Sequence, residues 1–201
     1  MKIIPTTLAL LLLPGICLGQ KKIATGEYES GLKLAYDNKN NKLTGYFESH
    51  TGWDEATKAP RFSCIFYIEG VIEGNTVKIK SYYPADKSED IISGTLEMLD
   101  SKTVEIKLPE EHGGCGNVQH FADEPVKFSF EKDMAWVLIR FATTNKAYFH
   151  ADKSIEKKQK SYLVKNDFVC VDKIQDGWAF CAYHGKKITK GWIRTADLNK
   201  I

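Results

Sequence analysis

Tyr162-Leu163-Val164-Lys165-Asn166-Asp167, then Gly177-Trp178-Ala179-Phe180, then Gly191-Trp192-Ile193-Arg194, closing on Asp197-Leu198, decide how the end of this chain folds. Each piece is short, alternates apolar with polar residues and is bounded by turn formers, which is the signature of strands rather than helices. Val169 and Val171 alternate on one strand, and Trp178, Phe180 and Ala182 alternate on the next. Gln175-Asp176-Gly177 supplies the turn between them, with Gly able to take the left-handed position. A register in which paired residue numbers sum to 351 sets Cys170 opposite Cys181 and predicts a bond across the hairpin. A slip of one residue puts the two on opposite faces and forbids it.

The same stretch, with Lys146-Ala147-Tyr148-Phe149-His150 as a first strand, resembles a bacterial SH3-like domain. That family typically reads as a strand, Tyr-Leu-x-x-Gly-Asp, Gly-Trp-x-x-Val, Gly-Trp-Ile and Asp-Leu. Asn166 stands where the family usually carries Gly, and Asn tolerates the positive φ of the turn. The resemblance implies a small five-stranded barrel over residues 144–201 that recognises peptide or cell-wall material, and it implies no catalysis.

At the other end, Met1-Lys2 precedes the apolar run Leu8-Ala9-Leu10-Leu11-Leu12-Leu13, Pro14-Gly15 breaks any helix, and Cys17-Leu18-Gly19 places small residues at −3 and −1 before Gln20. This is the pattern of a secretory signal peptide, residues 1–19, cleaved after Gly19; the run is too short to span a membrane. A lipoprotein reading of Cys17 is disfavoured, because Pro14-Gly15-Ile16 lacks the usual Leu at −3 and small residue at −1. The protein is therefore expected in the periplasm or outside the cell. Cys64, Cys115, Cys170 and Cys181 remain, an even count that favours disulfides in any of three connectivities.

Residues 20–143 carry 15 Lys and Arg against 20 Asp and Glu, and residues 144–201 carry 12 against 6. The sign change marks a domain boundary near Thr143-Thr144. The first domain alternates in the strand period almost throughout. Leu32, Leu34 and Tyr36 share one face, and Phe62–Ile68 is a more continuously apolar, central strand. Thr76-Val77-Lys78-Ile79-Lys80 recurs 27 residues later as Thr103-Val104-Glu105-Ile106-Lys107, as a meander gives, and Phe128–Phe130 and Trp136–Arg140 supply the last strands. The expected fold is all-β: an antiparallel barrel or sandwich, followed by a small SH3-like barrel.

Two polar segments interrupt the first domain, His50–Glu55 and His112–Asn117, and read as binding loops. His112, Cys115 and His120 do not make a convincing zinc set, and in an exported chain a Cys64–Cys115 disulfide is favoured over metal. Asp54 and Glu55, adjacent on a strand, point to opposite faces and form no acid–base pair. No nucleophile elbow, metalloprotease motif or histidine triad stands out. The reading is a non-enzymatic, exported binding protein without cofactor or metal, with no nucleic-acid partner and no membrane span. Its SH3-like module contacts peptidoglycan peptide or an envelope protein. Tyr148, Trp178, Tyr183, Trp53 and His112 are the candidate ligand-binding residues. The alternatives are an exported inhibitor of a wall-degrading enzyme and, less favoured, a wall hydrolase with an SH3-like targeting arm.

Overall fold

The computed structural model describes residues 23–85 and 90–200; the expected signal segment, residues 1–19, lies outside them. The described chain is all-β, and none of its helices is long and apolar enough to cross a membrane. Eight strands run up and down into a closed barrel: β1 Gly26–Tyr28, β2 Leu32–Asp37, β3 Lys42–Asp54, β4 Ala59–Ile72, β5 Thr76–Tyr82, β6 Ile92–Met98, β7 Thr103–Lys107 and β8 Val126–Asp133. Antiparallel pairing of β1 with β8 closes the ring and leaves no edge around the barrel wall. The two similar segments spaced 27 residues apart are β5 and β7, which flank β6.

Period-two alternation sends Leu43 and Phe47, Phe66 and Ile68, and Val77 and Ile79 into the barrel. Phe47 meets Phe66, Phe121 and Phe128 there edge-on or tilted, with ring centroids 5.1–5.8 Å apart, so the interior is packed with side chains. Gly45 and Gly94 occupy inward positions where a Cβ would lie 2.5 Å from the Lys33 and Lys107 carbonyl oxygens of the neighbouring strands. Bare glycine lets those strands bend close enough to coil. The long β7–β8 connection folds back into one end of the barrel. It buries His112, Cys115 and Phe121, and the Cys64–Cys115 disulfide expected from the sequence pins it to β4.

A second, six-stranded antiparallel sheet has the order β11-β10-β14-β13-β12-β9. It is built from β9 Leu138–Phe141, β10 Ala147–His150, β11 Lys158–Leu163, β12 Phe168–Gln175, β13 Trp178–His184 and β14 Ile188–Arg194. It curls around Leu138, Ala147, Phe149, Leu163, Val169, Val171, Ala179, Cys181 and Ile193. The strand read over Trp136–Arg140 does form, but not as the last strand of the first domain. It pairs with β12, so the change of sheet falls between Asp133 and Leu138.

The other edge of β9 is closed by side chains. Thr44 Oγ1 accepts the Ile139 N–H at 2.8 Å, and the Tyr67 hydroxyl donates to the Ile139 carbonyl at 2.8 Å. Asn199 Oδ1 accepts the Phe141 N–H, and the Asn199 N–H donates to the Phe141 carbonyl. Around these bonds Ala35, Tyr46, Tyr67, Tyr82, Trp136, Ile139, Phe141 and Cys170 form a third apolar cluster between the outside of the barrel and the second sheet. Burial of this size, with the Ile139 and Phe141 backbone groups paired on the second edge, joins the two sheets into one body.

The Cys170–Cys181 bond is a correction: both thiols are free and buried. Asp176 (φ 52°) and Gly177 (φ 78°) form a two-residue turn that pairs Gln175 with Trp178. A bulge at Asp172 then shifts the register by one, so Cys170 lies opposite Ala182 and Cys181 opposite Val171. Cys170 consequently faces the barrel and Cys181 the interior of the second sheet, and burial pushes both thiols well above their usual range. Asn166 takes the expected left-handed conformation, at φ 76°.

Candidate functional site

The second sheet turns one face inward and leaves the outer face of β11, β10, β14 and β13 to solvent. Strand alternation puts Tyr162, Tyr148, Trp192, Phe180 and Trp178 on that face. Cross-strand pairing brings Tyr148 beside Tyr162 and Phe180 beside Trp192, with ring centroids 5.4 and 5.3 Å apart. His150 continues the row, its ring 4.8 Å from that of Trp178. Gly191 makes this possible: a Cβ there would lie 2.9 Å from the His150 carbonyl oxygen, so only glycine lets β14 approach β10 this closely.

Lysines roof the rings. Lys146 Nζ lies 4.8 Å from the Tyr162 centroid, Lys158 Nζ 4.6 Å from Tyr148, and Lys153 Nζ 5.7 Å from Trp192. Lys173 bridges Phe180 at 5.6 Å and Trp192 at 5.3 Å. Their stems cover apolar surface within cation–π range; Lys146, Lys158 and Lys173 are exposed, whereas Lys153 Nζ pairs with Asp176 at 2.7 Å. A shallow cavity of about 340 Å³, lined by Tyr148, His150, Ile155, Lys158, Arg194 and Asp197, opens on the same face. The result is a strip of flat rings interleaved with positive charge.

No protein-family model, curated protein or solved structure matches this chain. Its geometry therefore carries the functional argument.

The five candidate residues fall in four places. Tyr148 and Trp178 share the lysine–aromatic face. Trp192 stands on it too, buried by Phe180 and the lysines rather than by the sheet interior. Tyr183 instead lines the junction between the two sheets. Trp53 is 60% exposed near the tip of a two-stranded arm, where β3 and β4 run on past the barrel. His112 is buried in the end of the barrel.

The arm unites the two polar segments read as binding loops. His50–Trp53 is strand rather than loop, and Thr51 Oγ1 donates to the Asn117 carbonyl at 2.9 Å. At the tip Asp54 accepts from Ala56 and Thr57 N–H and pairs with Arg61 at 2.9 Å, contacts that hold its carboxyl below the usual range. Glu55 meets Lys58 and the Trp53 indole N–H. These carboxylates staple a hairpin.

His112 reveals an arrangement hidden in the sequence. Its Nε2 lies 2.8 Å from Ser81 Oγ and its Nδ1 3.0 Å from Asp90 Oδ2, the order of a catalytic triad. Ser81 is wholly buried, however, and its hydroxyl also lies 3.2 Å from the Ile92 carbonyl. With the His112 ring stacked on Phe66 at 4.9 Å, the chain of bonds works as an internal strut joining β5, the barrel plug and Asp90. The available signal was Ser81 itself, a polar residue continuing the inward series Val77, Ile79, which needs a buried partner. Among the described residues no cluster of His, Cys, Asp or Glu is arranged to hold a metal.

His184, in the β13–β14 hairpin, packs edge-on against Trp136 at 5.5 Å. Burial lowers its pKa below the ordinary 6.5, with Lys33, Lys132 and Lys190 acting in the same direction and Glu27 opposing. A histidine depressed in the folded state contributes stability above its unfolded pKa, which is lost as pH falls through the folded value. The urea midpoint should therefore fall between pH 7 and pH 5 by more in the native protein than in His184→Gln. Equal falls would show that His184 is not part of the acid response.

Proposed function

We propose that the protein is an exported, non-enzymatic binding protein whose second sheet is an SH3-like module that contacts anionic cell-wall peptide. The observation that carries this reading is the outer face of β11-β10-β14-β13, where four of five aromatic rings lie under four lysines. Rings give apolar contact at low entropic cost, and Lys146, Lys158 and Lys173 supply exposed ammonium groups for the carboxylates of a wall peptide. The exported setting rests on the signal-like residues 1–19 and agrees with the Cys64–Cys115 bond.

The test is co-sedimentation of the full-length protein with purified peptidoglycan. Binding is expected at low ionic strength and should weaken as salt rises. Tyr148→Ala and Trp178→Ala should each weaken it by about tenfold, as central aromatic anchors do. Undiminished binding by the double variant overturns the assignment of the face.

The arm favours a second reading, an inhibitor that enters the cleft of a wall-degrading enzyme. Trp53 (60% exposed) and Phe62 (41%) project from a hairpin already held by Cys64–Cys115 and Thr51–Asn117, so little ordering cost remains on docking. Failure to sediment with wall material, together with inhibition of a lysozyme-type enzyme that Trp53→Ala abolishes, would select this reading.

A further inference from the structure

Where the barrel meets the second sheet, Tyr46, Glu48 and Tyr83 face Asp167, Phe168 and Tyr183 across a cavity of about 410 Å³. A smaller cavity of about 240 Å³, reaching Asp90 and His112, shares Ile65 and Tyr83 with it, so the two form one bent groove. This volume is typical of a small-ligand pocket, as is the position between two packed units.

The chemistry of the groove is the reverse of the lysine–aromatic face. Asp167 is held above the usual carboxyl range, first by burial and also by the charge of Glu48, despite the hydrogen bond it accepts from Val164 N–H. The same two carboxylates help burial push the Tyr183 phenol up. Among the described residues neither carboxylate has a lysine or arginine partner, and Glu48 meets only His50, at 3.3 Å.

A second observation comes from Tyr46. Phe168 stacks on one face of its ring at 4.4 Å, and Lys33 Nζ lies over the ring at 5.3 Å. Only 8% of the residue is exposed, yet it lines the cavity, and its hydroxyl makes no hydrogen bond among the described residues. Two like charges, Asp167 partly buried and Glu48 exposed at the rim, an unpartnered phenol and two further tyrosine rings together suit one kind of guest. A cation relieves the repulsion, satisfies the phenol oxygen and takes the ring faces.

We propose that this groove binds the ammonium group of a peptide, a lysine side chain or an equivalent primary amine, seated between Glu48 and Asp167 and walled by Tyr83 and Tyr183. The site is independent of the lysine–aromatic face, which suits anions, and stands or falls separately from it.

The test is an NMR titration of the ¹⁵N-labelled full-length protein with acetyl-Gly-Lys-Gly-amide, whose only charge is the lysine Nζ. Saturable shifts are expected at the amides of Asp167, Tyr83 and Tyr183 at concentrations up to about 10 mM. The peptide acetylated on Nζ should produce none. Glu48→Gln and Asp167→Asn should each weaken binding about tenfold, the usual effect of losing a hydrogen bond to a charged group. Lys165→Gln, which removes the one lysine lining the cavity, should tighten it. Thermal melts guard against misfolding, and Asp167→Asn keeps an acceptor oxygen for Val164. The proposal is overturned if charged and acetylated peptides shift the same signals alike, if neither carboxylate variant loses affinity, or if no saturable shift appears.

Discussion

Removing the Cys64–Cys115 bond lowers the stability of the protein by about 4 kcal/mol, the loop-entropy value for cysteines 51 residues apart. Both sulfurs are fully buried, and the bond joins the middle of β4 to the plug that fills the end of the barrel. Without it, the plug's remaining anchors to the barrel wall include the Phe121 contacts, the Phe66–His112 stacking, the Ser81–His112–Asp90 chain, and the hydrogen bonds Lys107–Ala122 and Thr51–Asn117. Urea unfolding of Cys64→Ala with Cys115→Ala, against the oxidised protein, measures the loss, and an unchanged midpoint would refute it. Alkylation of the oxidised protein in denaturant, without reductant, checks the pairing. Within residues 23–200 it should block Cys170 and Cys181 alone, and blocking of Cys64 or Cys115 would contradict the assigned bond.

The difference between this bond and the one that does not form shows what local sequence can carry. Strands were legible wherever one face is dry and the other wet. Leu32 and Leu34, and the alternation Thr76-Val77-Lys78-Ile79-Lys80, fall on the barrel as written, with Val77 and Ile79 inside and the lysines out. Cys170 and Cys181 depended instead on register. A bulge at Asp172 leaves no mark in composition, yet it moves one thiol to the other face. The strand before Phe141 was legible too, but its partner was not. β9 is assigned to its sheet by β12 and by Thr44, Tyr67 and Asn199, all distant in sequence. The site divides in the same way. Tyr148 and Trp178 stand at outward positions that alternation predicts, whereas the lysines above the aromatic face arrive from separate turns and strands. Ser81, His112 and Asp90 meet only because the plug folds back into the barrel.

Replacing Tyr67 tests the joint between the sheets. Tyr67 and Tyr46 occupy outward positions on β4 and β3, where a lone barrel would meet water, yet Tyr67 is wholly buried. Its ring lies 5.2 Å from Phe141 and 5.5 Å from Tyr82, and its hydroxyl is the partner of the buried Ile139 carbonyl on the second edge of β9. Tyr67→Ala removes the ring and opens a cavity in the middle of the cluster, at a cost of about 3–5 kcal/mol. Tyr67→Phe keeps the packing and leaves one buried carbonyl unpaired, which costs about 1–3 kcal/mol. The ratio of the two losses separates packing from hydrogen bonding at the joint. Because β9 depends on barrel side chains for its second edge, the two sheets should unfold together. Far-ultraviolet circular dichroism and tryptophan fluorescence, the latter drawing on Trp53 on the arm, Trp136 at the joint, and Trp178 and Trp192 in the second sheet, should give coincident urea transitions in the native protein. Two separate transitions, or a Tyr67→Ala variant as stable as the native chain, would mean that the sheets fold independently and that the cluster between them is only a contact.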